Sequence, residues 1–389
     1  MARTTGTYCR TKTGDETVRA FVPHGLPPRR PTLKIEGKLQ ALHLAAVAAL
    51  EKLEVSGAMV PSANWFLYGF VRKEAVVSSQ IEGTQATLQD VLSFEAGGVP
   101  DKPDDIQEIC NYIDALEFAR RELAKPRGLP LCTRMLCAAH KRLMKGVRGA
   151  DKQPGTVRTS QNWIGGTRPG NARFVPPPPG EVPGALAALE RWIHAGSSLQ
   201  PLVRAGLAHV QFETIHPFLD GNGRIGRLLI TLLLEHWGLL SSPLLYLSLA
   251  FKRHRQSYYR RLSGVRTDGD WEGWTEFFLK CVGEAAEDAT ASAREIFTLV
   301  GEDRRKIVNH PAATVPAIRL FDLLPENPMI TLAQGCKLLK TSNPTVTKAV
   351  KALQKTGILA ETTGKRRGRV YAYTRYLKVL SPGTDLADK

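Results

Sequence analysis

Between His216 and Arg227 the chain reads His-Pro-Phe-Leu-Asp-Gly-Asn-Gly-Arg-Ile-Gly-Arg, and these twelve residues hold the parts of a phosphate-handling site. A histidine titrating near neutrality can take a proton from an alcohol, and Asp220, four residues on, is the kind of hard oxygen ligand that holds Mg²⁺ against phosphate. Gly221 and Gly223 leave the backbone around Asn222 bare, so successive N–H groups can curl into an anion-binding concavity. Arg224 and Arg227, three apart, can fork onto further phosphate oxygens.

Two helices must position this run. The apolar stretch Leu228 to Leu234 says that one begins at the glycines, which adds its N-terminal dipole to the attraction for an anion. Upstream, Leu202, Ala205, Leu207, Ala208, Val210, Phe212 and Ile215 recur at helical spacing. Gly221 to Gly226 also fits the dinucleotide-binding fingerprint, but that motif has meaning only after a strand in a βαβ unit, and a helix precedes it here. Simple helix capping explains the glycines and leaves His216, Asp220, Asn222 and both arginines without a reason.

The full run resembles the signature of Fic-domain proteins, most of which transfer AMP from ATP to a hydroxyl side chain of a target protein. The resemblance implies His216 as general base, Phe218 as a core anchor and Asp220 as Mg²⁺ ligand, with Gly221, Asn222 and Gly223 as the phosphate nest. Arg224 and Arg227 would sit on the nucleotide phosphates. Upstream, Ser78-Ser79-Gln80-Ile81-Glu82-Gly83 resembles the inhibitory motif that many Fic proteins carry on a helix, with Ser78, Glu82 and Gly83 at its defining positions. A Glu82 carboxylate paired with Arg227 would occupy the group that should hold the γ-phosphate and leave the α-phosphorus misaligned. The motif precedes the signature in the same chain, as in the subgroup that needs no separate antitoxin. The segments Arg158 to Gly166 and Phe174 to Pro179 look like the family's flap hairpin, with Trp163, Ile164, Gly165, Phe174 and Val175 offering an edge on which a target segment docks.

Composition describes a globular chain of two to three domains: 389 residues, 43% hydrophobic and 23% charged, with net charge +16. No apolar run reaches the roughly 20 residues of a membrane span, and the first 25 residues lack the apolar core of a signal peptide, so a cytoplasmic protein is expected. Six singly placed cysteines read as reduced packing residues, which disfavours structural zinc. Periodicity predicts helices over 36–54, 61–80, 104–124, 131–146, 183–195, 200–215, 222–237 and 271–300, with Thr84 and Asp90 opening another. The first thirty-odd residues, with Pro23, Pro27, Pro28 and Pro31, read as extended wrapping.

The tail differs. From Thr331 to Lys378 eleven Lys/Arg face one acid, Glu361, a net +10. A helix over 332–339, a turn at 340–343, a second helix from Pro344 to Thr356, and two strands around a basic tip follow the pattern of a winged helix-turn-helix. Thr345, Thr347, Lys348 and Lys351 would face DNA from the recognition helix, and Arg366, Arg367 and Arg369 from the wing. The expected fold is therefore mainly α: a Fic-like helical bundle with a small β-hairpin flap and a C-terminal winged helix. Domain ranges are 1–100 for the N-terminal region with the inhibitory motif, 101–300 for the catalytic core and 301–389 for the winged helix.

The resulting expectation is a protein adenylyltransferase that uses ATP and Mg²⁺ to modify a Ser, Thr or Tyr of an unidentified target or of itself, with Glu82 restraining Arg227. Three routes of release stay open: dissociation of a homodimer, target binding or a DNA ligand. The competing reading is a DNA-binding regulator that uses the site as a nucleotide sensor, and AMP removal or transfer of another phosphate-containing group is a further variant. An intact His216 favours the enzyme, since sensing needs no base.

Overall fold

The computed structural model describes residues 3–29, 31–58 and 64–386. These divide into two compact units, neither of them a continuous stretch of chain. The first gathers residues up to Glu51, Asn111–Ser241 and Ala250–Ala285; the second gathers Lys52–Cys110, Ser242–Leu249 and the chain from Ala286 onward. The chain begins with strands β1 (Gly6–Thr13) and β2 (Glu16–Pro23), followed by helices α1 (Lys38–Ala58), α2 (Asn64–Ile81), α3 (Leu88–Glu95), α4 (Pro103–Ala124) and α5 (Thr133–Leu143). Then come α6 (Val182–His194), α7 (Pro201–Ile215), α8 (Asn222–His236), α9 (Ser248–Arg253), α10 (Arg255–Asp268), α11 (Trp271–Val308) and α12 (Val315–Leu323). Strand β3 (Met329–Thr331), α13 (Leu332–Leu339), α14 (Asn343–Lys355), β4 (Ala360–Glu361), β5 (Val370–Ala372) and α15 (Thr374–Leu380) complete it.

The first unit is built round α7 and α8. Both are buried on nearly every side, their polar residues included, which is the mark of a helix inside a core. Leu202, Leu207, Phe212, Leu228, Leu229 and Leu232 are wholly enclosed, and each such side chain stabilises the fold by about 1.5–3 kcal/mol. Two glycines permit the close packing. A Cβ on Gly206 would come within 2.8 Å of the Phe278 ring, and one on Gly226 within 2.3 Å of Glu213 Oε1.

The N-terminal residues fold rather than wrap. β1 and β2 pair antiparallel from Gly6↔Pro23 to Thr13↔Glu16, turning through Gly14 and Asp15, with Gly14 at φ +58°. That two-residue turn is a recognised hairpin signal; the neighbouring prolines concealed it. Val18 and Ala20 of β2 pack with Val175, and Trp163 lies against the same cluster.

In the second unit α2 runs through the core, with Phe66, Phe70 and Val76 enclosed. Its Gly69 accommodates Leu380, whose methyl would lie 2.6 Å from a Cβ there, and Tyr376 donates to the Trp65 carbonyl at 2.8 Å. The predicted start of this helix at 61–63 lies outside the described residues. α3 opens at Thr87 rather than Thr84: Thr87 and Asp90 form a reciprocal capping box. Thr84 is instead buried, giving its hydroxyl to Glu108 at 3.0 Å.

Further along, α12, α13 and α14 pack with a three-stranded antiparallel sheet in the order β3-β5-β4. Lys340 ends α13 at φ +51°, and α14 starts at Asn343, one residue before Pro344. Tyr373 and Arg375 anchor this region to α11 through Asp303, a carboxylate only 1% exposed. Among the described residues no helix is long and apolar enough to cross a membrane.

Candidate active site

The signature occupies the turn from α7 into α8. His216 caps α7 in the left-handed conformation, φ +50° and ψ +61°, while its N–H donates to Phe212 O at 2.9 Å. That conformation costs a non-glycine residue roughly 1–2 kcal/mol, so surrounding bonds must hold it. Arg158 supplies one: its Nε donates to the His216 carbonyl at 2.8 Å, and its own N–H donates to Pro217 O at 2.9 Å. Gly221, at φ +74°, then caps α8.

Between these caps the turn is stapled side chain to main chain. Asn222 Oδ1 accepts from the Phe218 N–H at 2.8 Å while Nδ2 donates to Phe218 O at 2.7 Å. That leaves the main-chain N–H of Asn222, at the start of α8, as a donor for an anion. Phe218 is enclosed, and His140 stacks on it at 3.9 Å with the rings 8° from parallel. His140 Nδ1 accepts from the Gly155 N–H at 2.9 Å, so the proton lies on Nε2, which donates to Asp220 O at 3.0 Å. Burial pushes the His140 pKa down to about 4, and the ring is neutral. The Asp220 carboxylate is half-buried and accepts from the Gly221 N–H at 2.6 Å. Gly149 packs against it so closely that a Cβ would lie 2.6 Å from Oδ2.

Arg224 and Arg227 stand on the first turns of α8, 4% and 2% exposed, and Arg224 Nη2 reaches Met144 Sδ at 3.7 Å. Behind them His209 donates from Nδ1 to Gly226 O at 3.0 Å and accepts from the Tyr258 hydroxyl at Nε2, 2.8 Å away. Full burial pushes this pKa to about 3. The structure thus brings His216, Asp220, Gly221, Asn222, Gly223, Arg224 and Arg227 together at one helix junction.

The flap is a minimal hairpin, a single bridge between Ile164 and Phe174. Ile164 N–H donates to Phe174 O at 2.8 Å and Phe174 N–H to Ile164 O at 3.1 Å, so the outward edge is the Trp163 and Gly165 side. Phe174 and Val175 point inward, and Val175 O accepts from Phe21 of β2 at 2.9 Å. At the tip, Glu16 of the N-terminal hairpin takes bonds from Arg168 and the Gly170 N–H at 2.9 and 2.6 Å. Asn162 Nδ2 ties the flap to the signature turn through Phe218 O and Leu219 O, each at 3.2 Å.

In the second unit, Ser78 is buried in the last turn of α2, whereas Glu82 and Gly83 lie just beyond the helix and are exposed. Gly83 adopts φ +104°, and Thr84 N–H returns to Ser79 O at 3.2 Å. Gln80 Nε2 donates to Ala86 O at 2.9 Å and to Thr384 O at 2.7 Å, tying this turn to the C-terminal segment. In the C-terminal region Lys351, Arg366, Arg367 and Arg369 line one groove of about 460 Å³, joined by Asn343 and Thr347. Residues 343, 347, 351 and 354 share a helix face, whereas Thr345 and Lys348 do not line the groove.

Sequence reasoning assigned no role to His140, His209, Asn162 or the Arg158 side chain. Each acts on main-chain carbonyls remote in sequence, and no spacing rule reports that.

Residues 130–234 match the Fic/DOC family model and residues 40–121 the model of the Fic/DOC family N-terminal region. Proteins named protein adenylyltransferase Fic are similar: that of Drosophila ananassae is 27% identical over 206 residues, covering 52% of this chain and 38% of that protein. That of Drosophila willistoni is 27% identical over 253 residues, covering 62% and 47%. The chain spans less than half the length of these curated relatives. In fold it resembles a Fic family protein from Desulfovibrio desulfuricans G20, with TM-score 0.56 and 22% identity over 88% of this chain and 98% of that one. A Fic domain containing signaling protein from Bacteroides thetaiotaomicron VPI-5482 follows, with TM-score 0.51 and 19% identity over 64% and 97%.

Proposed function

This chain is a Fic-domain protein, and from that premise we propose that it transfers AMP from ATP to a Ser, Thr or Tyr hydroxyl of a protein target or of itself. The observation that carries the reading is the α7–α8 turn, where a base and an anion-attracting helix start are set five residues apart and stapled in place. The target oxygen forms a bond to the α-phosphorus, the bond to the bridging oxygen of the β-phosphate breaks, and pyrophosphate leaves. The hydroxyl proton passes to the His216 ring. First-turn amides of α8 and the guanidinium groups of Arg224 and Arg227 bind the phosphates. Asp220 is the carboxylate that would hold Mg²⁺: one half-buried carboxylate, completed by phosphate oxygens and water, is the donor set this ion favours. The ion would offset phosphate charge there.

Glu82, exposed just beyond the end of α2, is the restraint in this proposal, pairing with Arg227 until something draws it away. The test is intact-mass analysis after incubation with Mg²⁺ and ATP, with a lysate as parallel target source. An increment of one AMP per acceptor should grow in Glu82→Gly and vanish in Glu82→Gly/His216→Ala; no increment on chain or lysate defeats the reading.

The basic groove favours a second reading for the C-terminal region, that of a winged helix docking on DNA phosphates, which would make the protein a regulator with a nucleotide-sensing site. Binding that falls steeply with salt supports it, and a flat salt response points to protein docking instead.

A further inference from the structure

We propose that Arg158 is a positioning residue that sets the register between the flap and His216, so that a hydroxyl laid along the flap meets the base. This deepens the AMP-transfer reading and rests on it. The Arg158 side chain is 1% exposed, and among the described residues it has carbonyl partners and no carboxylate. Nη1 donates to Ser160 O at 3.2 Å, where the flap begins, and Nη2 to Pro177 O at 2.6 Å, where it ends. Nε donates to His216 O at 2.8 Å. One planar group therefore joins both ends of the flap to the residue that carries the base.

The arrangement demands arginine. A guanidinium presents five N–H donors in a fixed fork, so three directions are set at once; an ammonium is a point charge on a flexible stem. A buried cation without an acid partner is costly, and burial pushes this one down to about pKa 10, leaving it charged at neutral pH. The carbonyl it satisfies belongs to a residue in a strained left-handed conformation. Released, His216 relaxes toward ordinary backbone angles and its imidazole swings away from the flap. The anion site is held by different bonds, from His140 to Asp220 and from Asn222 to Phe218. Losing Arg158 should therefore separate proton removal from nucleotide binding.

The experiment compares Glu82→Gly with Glu82→Gly/Arg158→Lys and Glu82→Gly/Asn162→Ala, reading the AMP-transfer rate at saturating ATP, the KM for ATP and the Tm. Misplacing a reacting group by about 1 Å costs on the order of 100-fold, so Arg158→Lys should lower kcat about 100-fold with the KM for ATP within about 2-fold. Asn162→Ala removes a second side-chain tie between flap and turn from a half-buried position and should show the same split, about 10-fold in kcat, should Arg158→Lys not fold. An unchanged kcat, or kcat and KM worsening together in step with Tm, overturns the proposal. Hydrogen exchange of the 212–222 segment needs no activity: faster exchange in Arg158→Lys is expected, and unchanged exchange overturns the clamp. A parent that transfers nothing defeats the AMP reading alone, and the exchange result then decides for Arg158.

Discussion

The α7–α8 turn and the basic C-terminal groove both gather groups suited to phosphate, yet they hold them in opposite ways. In the turn, Arg224 and Arg227 are almost enclosed, and Arg158, His140 and Asn222 bond the neighbouring main chain. In the groove, Lys351 is exposed on a helix of which only the opposite, apolar face is packed, and Arg366, Arg367 and Arg369 are exposed on a loop without apolar side chains. Enclosed, oriented donors suit one small ligand in one pose, since low dielectric strengthens each contact and nothing reorganises during reaction. Solvated cations suit a polyanion met in many registers, through released counterions.

The largest break in this contrast comes from His216→Ala. It should abolish transfer, a loss of at least about 100-fold for a general base, while ATP binding by calorimetry persists; retained transfer would remove His216 from that role. Asn222→Ala comes next. It leaves the buried Phe218 N–H unpaired, at about 1–3 kcal/mol, while the Phe218 carbonyl keeps Asn162, and should lower stability by about that much in denaturant unfolding while transfer falls with it.

Acid should then distinguish the regions without mutation. His140 and His209 have pKa values pushed below their ordinary 6.5, to about 4 and about 3. The unfolded chain binds protons that the folded one refuses, so stability is full above about pH 6.5 and falls as pH drops toward those values. The loss is on the order of 2 kcal/mol per histidine by pH 5. Denaturant midpoints from pH 7 to pH 5 should show that decline, and His140→Gln should remove about half of it, leaving the His209 share. The smallest effect on folding belongs to the groove. Arg366→Ala/Arg367→Ala should leave stability within about 0.5 kcal/mol and, if DNA binds there, reduce the salt slope by about 2; an unchanged slope would take both residues out of the interface.

Sequence legibility followed the physics of each element. Helices α7 and α8 were readable because apolar periodicity records burial directly, and the signature because its residues are neighbours in the chain. The β1–β2 hairpin escaped because Pro23, Pro27 and Pro28 outweighed the Gly14-Asp15 turn. Helices α9 and α10 escaped because residues 252–261 are crowded with Lys and Arg, which mask a core-facing Tyr258. Thr84 and Thr87 both resemble caps, and only a partner for Thr84 in α4 tells them apart. The bonds of Arg158, Asn162 and His140 lie beyond any such reading, since their acceptors are carbonyls about which residue type says nothing.

The interleaving of the two units has a consequence for how this protein comes off the ribosome. Every residue of the unit that holds His216 to Arg227 has been made once Ala285 is added, whereas the unit that holds Ser78 and Glu82 still awaits everything from Ala286 onward. Translation therefore supplies all of the proposed site residues from His216 to Arg227 and their staples before it finishes the unit bearing the proposed restraint. A message cut short after Ala285 encodes the first unit entire and the second only in part, without the Thr384 carbonyl that Gln80 grips beside Glu82.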